Sequence, residues 1–276
     1  MEILLAGNYC HDTLIRNDGT FELLGGSTAY ISKALEAAQA RYQVVSKVGK
    51  DFRYFKEVSK NSATIAIISG DRPTTHFRDT HIPGNTSSFL SACCDPIYAD
   101  DFPDVKAKVG IACGVANEIM PETLRALRER VEILVCDVQG LIRSVDEESR
   151  VKCVNLGDTP FMECLPMIDY LKVNAKEAAF IDLTKMGGTK VLITRGSDGT
   201  QFKAGKLTLT VPAVAAVEVD PTGAGDSFIA GLSLGLVRGL SIEAAITLGN
   251  RYGAFAVQSL GVPDFTQFVD KTASPK

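Results

Sequence analysis

The nine residues Asp220-Pro221-Thr222-Gly223-Ala224-Gly225-Asp226-Ser227-Phe228 decide how this chain is read. They lead into residues 227–238, an apolar, small-residue segment closed by Gly239, which reads as a helix with glycine in the C′ position. A helix that is apolar on nearly every side is a buried one. The glycine loop therefore stands at the N-terminus of a rigid central helix, with its backbone amides aimed outward. Residues without bulky side chains let those amides approach an anion, and the helix end adds the equivalent of roughly half a positive charge. Gly223, Ala224 and Gly225 thus form a candidate anion hole for a moving phosphoryl group, and Asp226 faces the same point as a candidate base for an alcohol. Taken alone, Gly-x-Gly is a tight turn and Asp226 an N-cap. The combination of a turn-setting Pro221, a glycine loop, an acid and a buried helix favours the catalytic reading.

Upstream, short apolar runs at residues 3–6, 43–47, 109–112, 133–136, 170–173 and 191–194 alternate with helical stretches. This is the pattern of an α/β fold with a mostly parallel central sheet, flanked by helices on both faces. Residues 121–130 read as one such helix, with Pro121 early, Glu122 in the first turn, and Leu124 and Leu127 on an inward face. Two regions break the rhythm. Residues 12–24 alternate about the turn Asn17-Asp18-Gly19 and read as a hairpin. Residues 63–69 and 74–82 read as extended segments parted by Gly70-Asp71-Arg72-Pro73. Together they predict a small β lid, drawn from residues 12–24 and 63–92, over a site on a single domain spanning residues 1–276.

At 276 residues, 45% hydrophobic and 22% charged, the chain can bury a deep core. Its formal net charge of −4, from 29 basic and 33 acidic residues well mixed, offers no footprint for nucleic acid or an anionic membrane. The most apolar stretch, residues 228–237, is too short to span a bilayer, and residues 1–6 enter a strand without the basic leader of an export signal. Seven cysteines, odd in number and without a C-x-x-C pair, read as buried thiols of a reducing cytoplasm. His76 and His81 lack a carboxylate cluster at ligand spacing, which argues against zinc and leaves them as lid or surface histidines. No G-x-x-x-x-G-K-[ST] is present, and Gly223-x-Gly225 lacks the third glycine of a dinucleotide fingerprint.

The nine-residue motif resembles the C-terminal signature of the ribokinase or pfkB family of carbohydrate kinases, and the resemblance extends over most of the chain. Gly25-Gly26 is similar to that family's first signature, and Val48-Gly49-Lys50-Asp51 to its V-G-x-D segment. Asn174-Ala175-Lys176-Glu177 is similar to its N-x-x-E motif, and Thr194-Arg195-Gly196-Ser197-Asp198-Gly199 to its nucleotide loop. Residues 7–12, 46–54 and 136–143 resemble, more narrowly, the plant-type myo-inositol 3-kinases within it.

The resemblance implies a ribokinase-like fold and a kinase, which the thiols place in the cytoplasm and whose sequence leaves monomer and homodimer both open. It would transfer phosphate from ATP to a small polyol, myo-inositol first, with Mg²⁺ and, as a further candidate, K⁺. Residue by residue, it implies that Asp226 is the base and that Gly223, Ala224 and Gly225 form the anion hole. Asn8, Asp12, Gly25, Gly26, Thr75, Phe77, Gln139 and Arg143 would join Asp226 in binding the acceptor. Thr194, Arg195, Gly196, Gly199, Gly223, Gly225 and Asn250 would bind the nucleotide with Asn174 and Glu177, the latter holding Mg²⁺ through water. Tyr30 stands where ribokinases carry asparagine, which speaks against ribose. The competing readings are a kinase for another sugar or a nucleoside, and a non-catalytic sugar sensor on the same fold. A sensor would lose the base, and Asp226 is present.

Overall fold

The computed structural model describes residues 1–58, 64–68 and 72–270. In chain order its strands are β1 (Ile3–Ala6), β2 (Cys10–Arg16), β3 (Gly19–Gly25), β4 (Tyr42–Val48), β5 (Thr64–Ile68), β6 (His76–Ile82), β7 (Asn85–Ala92), β8 (Ala107–Ala112), β9 (Val131–Asp137), β10 (Arg143–Val145), β11 (Val151–Cys153), β12 (Tyr170–Asn174), β13 (Lys190–Thr194), β14 (Thr200–Ala204) and β15 (Leu207–Val211). The helices are α1 (Ser27–Ala37), α2 (Phe55–Val58), α3 (Pro121–Arg128), α4 (Gln139–Ile142), α5 (Ala224–Val237) and α6 (Ile242–Ala256).

β1 has no polar side chain, so it must be covered on both faces, and all four of its residues are fully buried. Ile3 and Leu5 pack into one core with α1, α5 and α6. Leu4 and Ala6, pointing the other way, pack with α3 and the 3-10 segment Pro160–Met167. β1 thereby lies inside a nine-stranded sheet of order β15-β14-β13-β12-β9-β8-β1-β4-β5. Pairing is parallel from β5 to β13 and antiparallel for β14 and β15.

The expected lid is a second, four-stranded sheet of order β3-β2-β6-β7. Its hairpin β2–β3 closes at the predicted Asn17-Asp18-Gly19 turn, and β2 pairs in parallel with β6. One expectation is corrected. The extended segment at 64–68 is not a lid strand but β5, paired in parallel with β4 at the edge of the main sheet. Of the flanking residues assigned with it, Ala63, Ser69, Gly70 and Asp71 lie outside the described residues.

The helix that decided the fold starts earlier than its apolar run. Asp220 Oδ1 accepts from the Thr222 amide at 3.0 Å and its hydroxyl at 2.7 Å, which winds the turn. Gly223 at φ +76° is then the N-cap, so α5 begins at Ala224 and Asp226 lies inside the first turn rather than capping it. Ser227 to Leu236 is buried throughout. Arg238 caps the far end, and Gly239 follows at φ +72°, in the expected C′ place. No helix among the described residues is long and apolar enough to cross a membrane.

Candidate active site

Two unlike cavities meet at the first turn of α5. One is a cleft of about 520 Å³ along the C-terminal part of the chain, lined by Thr194, Gly196, Gly199, Phe228 and Asn250 and ending at Ala224 and Gly225. The other is a polar pocket of about 100 Å³ beneath the lid, where Asp12, Gly26, Phe77, Gln139 and Arg143 surround Asp226. Tyr30 and Thr222 line the smaller pocket as well.

The loop between the cavities is shaped by close approach. A Cβ at Gly223 would lie 2.0 Å from the Tyr30 ring, and one at Gly225 would lie 2.5 Å from Lys172 Nζ. Lys172 is therefore pressed against the underside of the candidate anion hole. It is only 4% exposed, and its Nζ pairs at 3.0 Å with Oδ2 of Asp137, which is wholly buried. Burial alone would lower the Lys172 pKa, but the charges of Asp137, Glu177 and Asp226 outweigh it and hold the ammonium above its ordinary value. The network continues toward the base. Asp137 Oδ1 accepts from the Gln139 amide at 3.2 Å, Gln139 Nε2 donates to Ser27 Oγ at 2.7 Å, and the Ser27 hydroxyl bonds the Asp226 carboxylate.

Asp226 is raised above the ordinary carboxylate range, first by burial and then by the charge of Asp137; Lys172, Ser27 and Arg143 oppose the rise. Asp12, across the pocket, is pushed up to about 7, again by burial first, with the charge of Asp79 next and the Gly26 amide opposing. Its carboxylate lies over Gly25, where a Cβ would fall 1.9 Å from Oδ2. Tyr30 is pushed well above its usual range by burial and by Asp12.

Not every expected residue faces a cavity. Asn8 is fully buried, and both ends of its amide serve the scaffold: Oδ1 accepts from the Lys47 amide at 2.7 Å and Nδ2 donates to the Asp95 carbonyl at 3.4 Å. Thr75 is 1% exposed, and its Oγ1 accepts from the Cys94 amide. Arg195 is exposed and turns to Gln201 on β14, at 3.0 Å. None of the three lines either of these two cavities. Asn250 does line the cleft, yet its amide is also engaged, accepting from Thr200 Oγ1 at 2.6 Å and donating to the Pro212 carbonyl at 2.9 Å. It shapes the wall. Arg143 combines the two roles, lining the pocket while donating to the Val115 carbonyl at 3.2 Å.

Asn174 and Glu177 form a reciprocal turn in which Glu177 Oε2 accepts from the Asn174 amide at 2.7 Å and Asn174 Oδ1 accepts from the Glu177 amide at 2.9 Å. Glu177 is buried, and burial raises its pKa against the pull of Lys172. Among the described residues no group of three or more His, Cys, Asp or Glu side chains could hold a metal outright. A lone rigid carboxylate fits an ion that arrives on nucleotide phosphates and is touched through water. The glycine loop at a helix N-terminus, with Lys172 beneath it, fits the phosphates themselves.

Asp79 and Ser88 in the lid, Tyr30, Val115 and Lys172 were not among the expected site residues. Asp79 was accessible in principle, because it is two residues from Phe77 on one strand and so shares its face.

Comparison with known proteins places this geometry in context. Residues 154–267 match the model of the pfkB family carbohydrate kinases. An inositol 3-kinase of Arabidopsis thaliana is 40% identical over 273 residues, covering 95% of this chain and 76% of the relative. One of Zea mays is 39% identical over 284 residues, covering 96% and 74%. Among solved structures, a pyrophosphate-dependent kinase in the ribokinase family, in a sulfate complex, superposes with a TM-score of 0.82 at 19% identity, covering 94% of this chain and 96% of that one.

Proposed function

This chain belongs to the pfkB family of carbohydrate kinases, and from that premise we propose that it transfers the terminal phosphoryl group of ATP to a hydroxyl of myo-inositol. The observation that carries this reading is the meeting of two cavities at the N-terminus of α5: a polar pocket holding Asp12 and Asp226, and a long cleft lined by Ala213, Val214, Phe228 and Val257. Carboxylates and hydroxyls in a small pocket suit a polyol. Apolar walls suit a nucleoside, and favour ATP over pyrophosphate as donor.

Asp226 accepts the proton of the attacking hydroxyl. Its raised pKa brings it nearer to the working pH of a base, while Lys172, Ser27 and Arg143 oppose the rise and favour the ionised form. The backbone of Gly223, Ala224 and Gly225 and the end of α5 receive the charge on the moving phosphoryl group. Asp12, with Gly25 leaving room for its carboxylate, orients the acceptor through a hydroxyl. Glu177 and Asn174 would hold Mg²⁺ through water, where the ion supplies charge neutralisation between the phosphates. We place the reaction in the cytoplasm, a reducing compartment in which seven cysteines persist as thiols.

ADP release from ATP, with Mg²⁺ and K⁺ present, tests the reading across myo-inositol, ribose, adenosine and fructose 6-phosphate. Myo-inositol should give the highest kcat/KM. A site built to bond a ring of hydroxyls rejects an analogue lacking one by ~10⁴-fold. A preference for ribose or a nucleoside overturns the substrate. Equal rates with pyrophosphate in place of ATP overturn the donor, and no stimulation by any acceptor leaves the sensor as the better description.

A further inference from the structure

The lid presents one face to the acceptor pocket. Parallel pairing sets Asp12 opposite Phe77 and Leu14 opposite Asp79, and antiparallel pairing sets Asp79 opposite Ser88. Residues two apart on a strand share a face. Asp12, Phe77, Asp79 and Ser88 accordingly all line the pocket. Oδ1 of Asp12 and Oδ1 of Asp79 are both shielded from solvent and without a hydrogen-bond partner among the described residues. A shielded acceptor left unbonded is unfavourable, and because both carboxylates line one pocket of about 100 Å³, an occupant rich in donors would relieve them. The remaining groups around Asp12 do not neutralise the pair. They include Arg143, Asp226 on α5, Tyr30 on α1, the neighbouring Cys10 and Tyr54 just ahead of α2. Arg143 is the one cation among them, and it also donates to the Val115 carbonyl.

We propose that Asp79 is a second acceptor-binding residue, which with Asp12 confines the substrate to uncharged polyols offering hydroxyl donors on neighbouring ring carbons and turns away phosphorylated sugars. This rests on the acceptor being a polyol. A vicinal diol places two O–H groups side by side, one for each pocket-lining carboxylate. A sugar phosphate would bring its own negative charge into a pocket that already holds Asp12, Asp79 and Asp226.

The test uses Asp79→Asn and Asp79→Leu in the full chain, with circular dichroism to show that each is folded. A hydrogen bond to a charged group is worth about 10- to 100-fold in affinity. The KM for myo-inositol and its Kd by titration calorimetry should rise by that factor in D79L and less in D79N, while kcat falls far less than KM rises. The ratio of kcat/KM for myo-inositol over fructose 6-phosphate should narrow by about tenfold or more. Loss of the neighbouring negative charge lets Asp12 ionise more readily, so the acid limb of the kcat/KM profile should move to lower pH in D79N. A wild-type enzyme that prefers a phosphorylated sugar overturns this inference together with the proposed function. A wild-type enzyme that prefers myo-inositol, with D79N and D79L leaving KM and the acid limb where they were, overturns this inference alone.

Discussion

Asp12→Asn should make the protein more stable above neutral pH while weakening its hold on the acceptor. In the folded protein the Asp12 carboxyl sits at about 7, because burial and then the Asp79 charge disfavour its ionised form; its ordinary value is 3.8. Below the ordinary value the group is protonated in both folded and unfolded chains and contributes nothing. Between about pH 4 and 7 the unfolded chain releases the proton while the folded one retains it, so stability falls as pH rises. Above about 7 the loss levels off. At about 1.4 kcal/mol per pH unit, the gap between 3.8 and about 7 amounts to a plateau on the order of 4 kcal/mol. That is a large share of the 5–15 kcal/mol by which a typical domain is stable. Asparagine keeps the shape, and its oxygen can still accept from the Gly26 amide, but it carries no charge to strand. Urea unfolding of wild type and D12N at intervals from pH 4 to 9 measures the difference. The two should coincide near pH 4, diverge up to about pH 7 in favour of D12N, and run parallel beyond. Curves that stay parallel across the whole range would refute the account of Asp12 as a strained, functionally retained carboxylate.

Asp226→Asn should lower kcat by ~10²-fold or more with little change in the KM for ATP, as steady-state rates will show. Lys172→Met should destabilise the fold by about 3–5 kcal/mol in urea unfolding, because it leaves the fully buried Asp137 without its counter-charge. The double variant K172M/D137L should recover most of that loss. Glu177→Gln should raise the Mg²⁺ concentration for half-maximal rate, since an amide holds the ion's water shell less well than a carboxylate; an unchanged Mg²⁺ titration would make Glu177 a purely structural turn residue.

The motif around Asp226 was legible because its chemistry is local. Glycines, an acid and an apolar helix within a few residues leave few other ways for the backbone to go. Even there the helix starts earlier than its apolar run, because Asp220, four residues ahead of Ala224, winds the turn and leaves Asp226 inside the helix. Long-range choices were not legible. The extended character of β5 is in its residues, but its partner is set by topology, and the parallel register with β4 took it into the main sheet. Asn8, Thr75 and Arg195 lie in or beside motifs, yet sequence proximity does not say which way a side chain points, and each found a backbone or side-chain partner away from the cavities. Lys172 is the one charged residue of β12. Its meaning depends on Asp137, which belongs to a different strand, β9.

The pairing of β2 with β6 also bears on how the molecule is assembled during synthesis. The hairpin β2–β3 is complete early, but its other edge aligns with β6 only after α1, β4, α2 and β5 have been made. Until then β2 carries an open edge of unpaired amides and carbonyls, the kind of surface on which a nascent chain adds a wrong strand. Contacts so far apart in sequence form slowly, because a long loop must close before they gain anything. β1 waits longer still for β8, since Ile3 pairs with Val109, but β1 ends fully buried within the nine-stranded sheet, whereas β2 and β6 belong to a separate four-stranded sheet; amide exchange in β2 and β6 should therefore report openings that leave β1, β8 and the buried α5 protected.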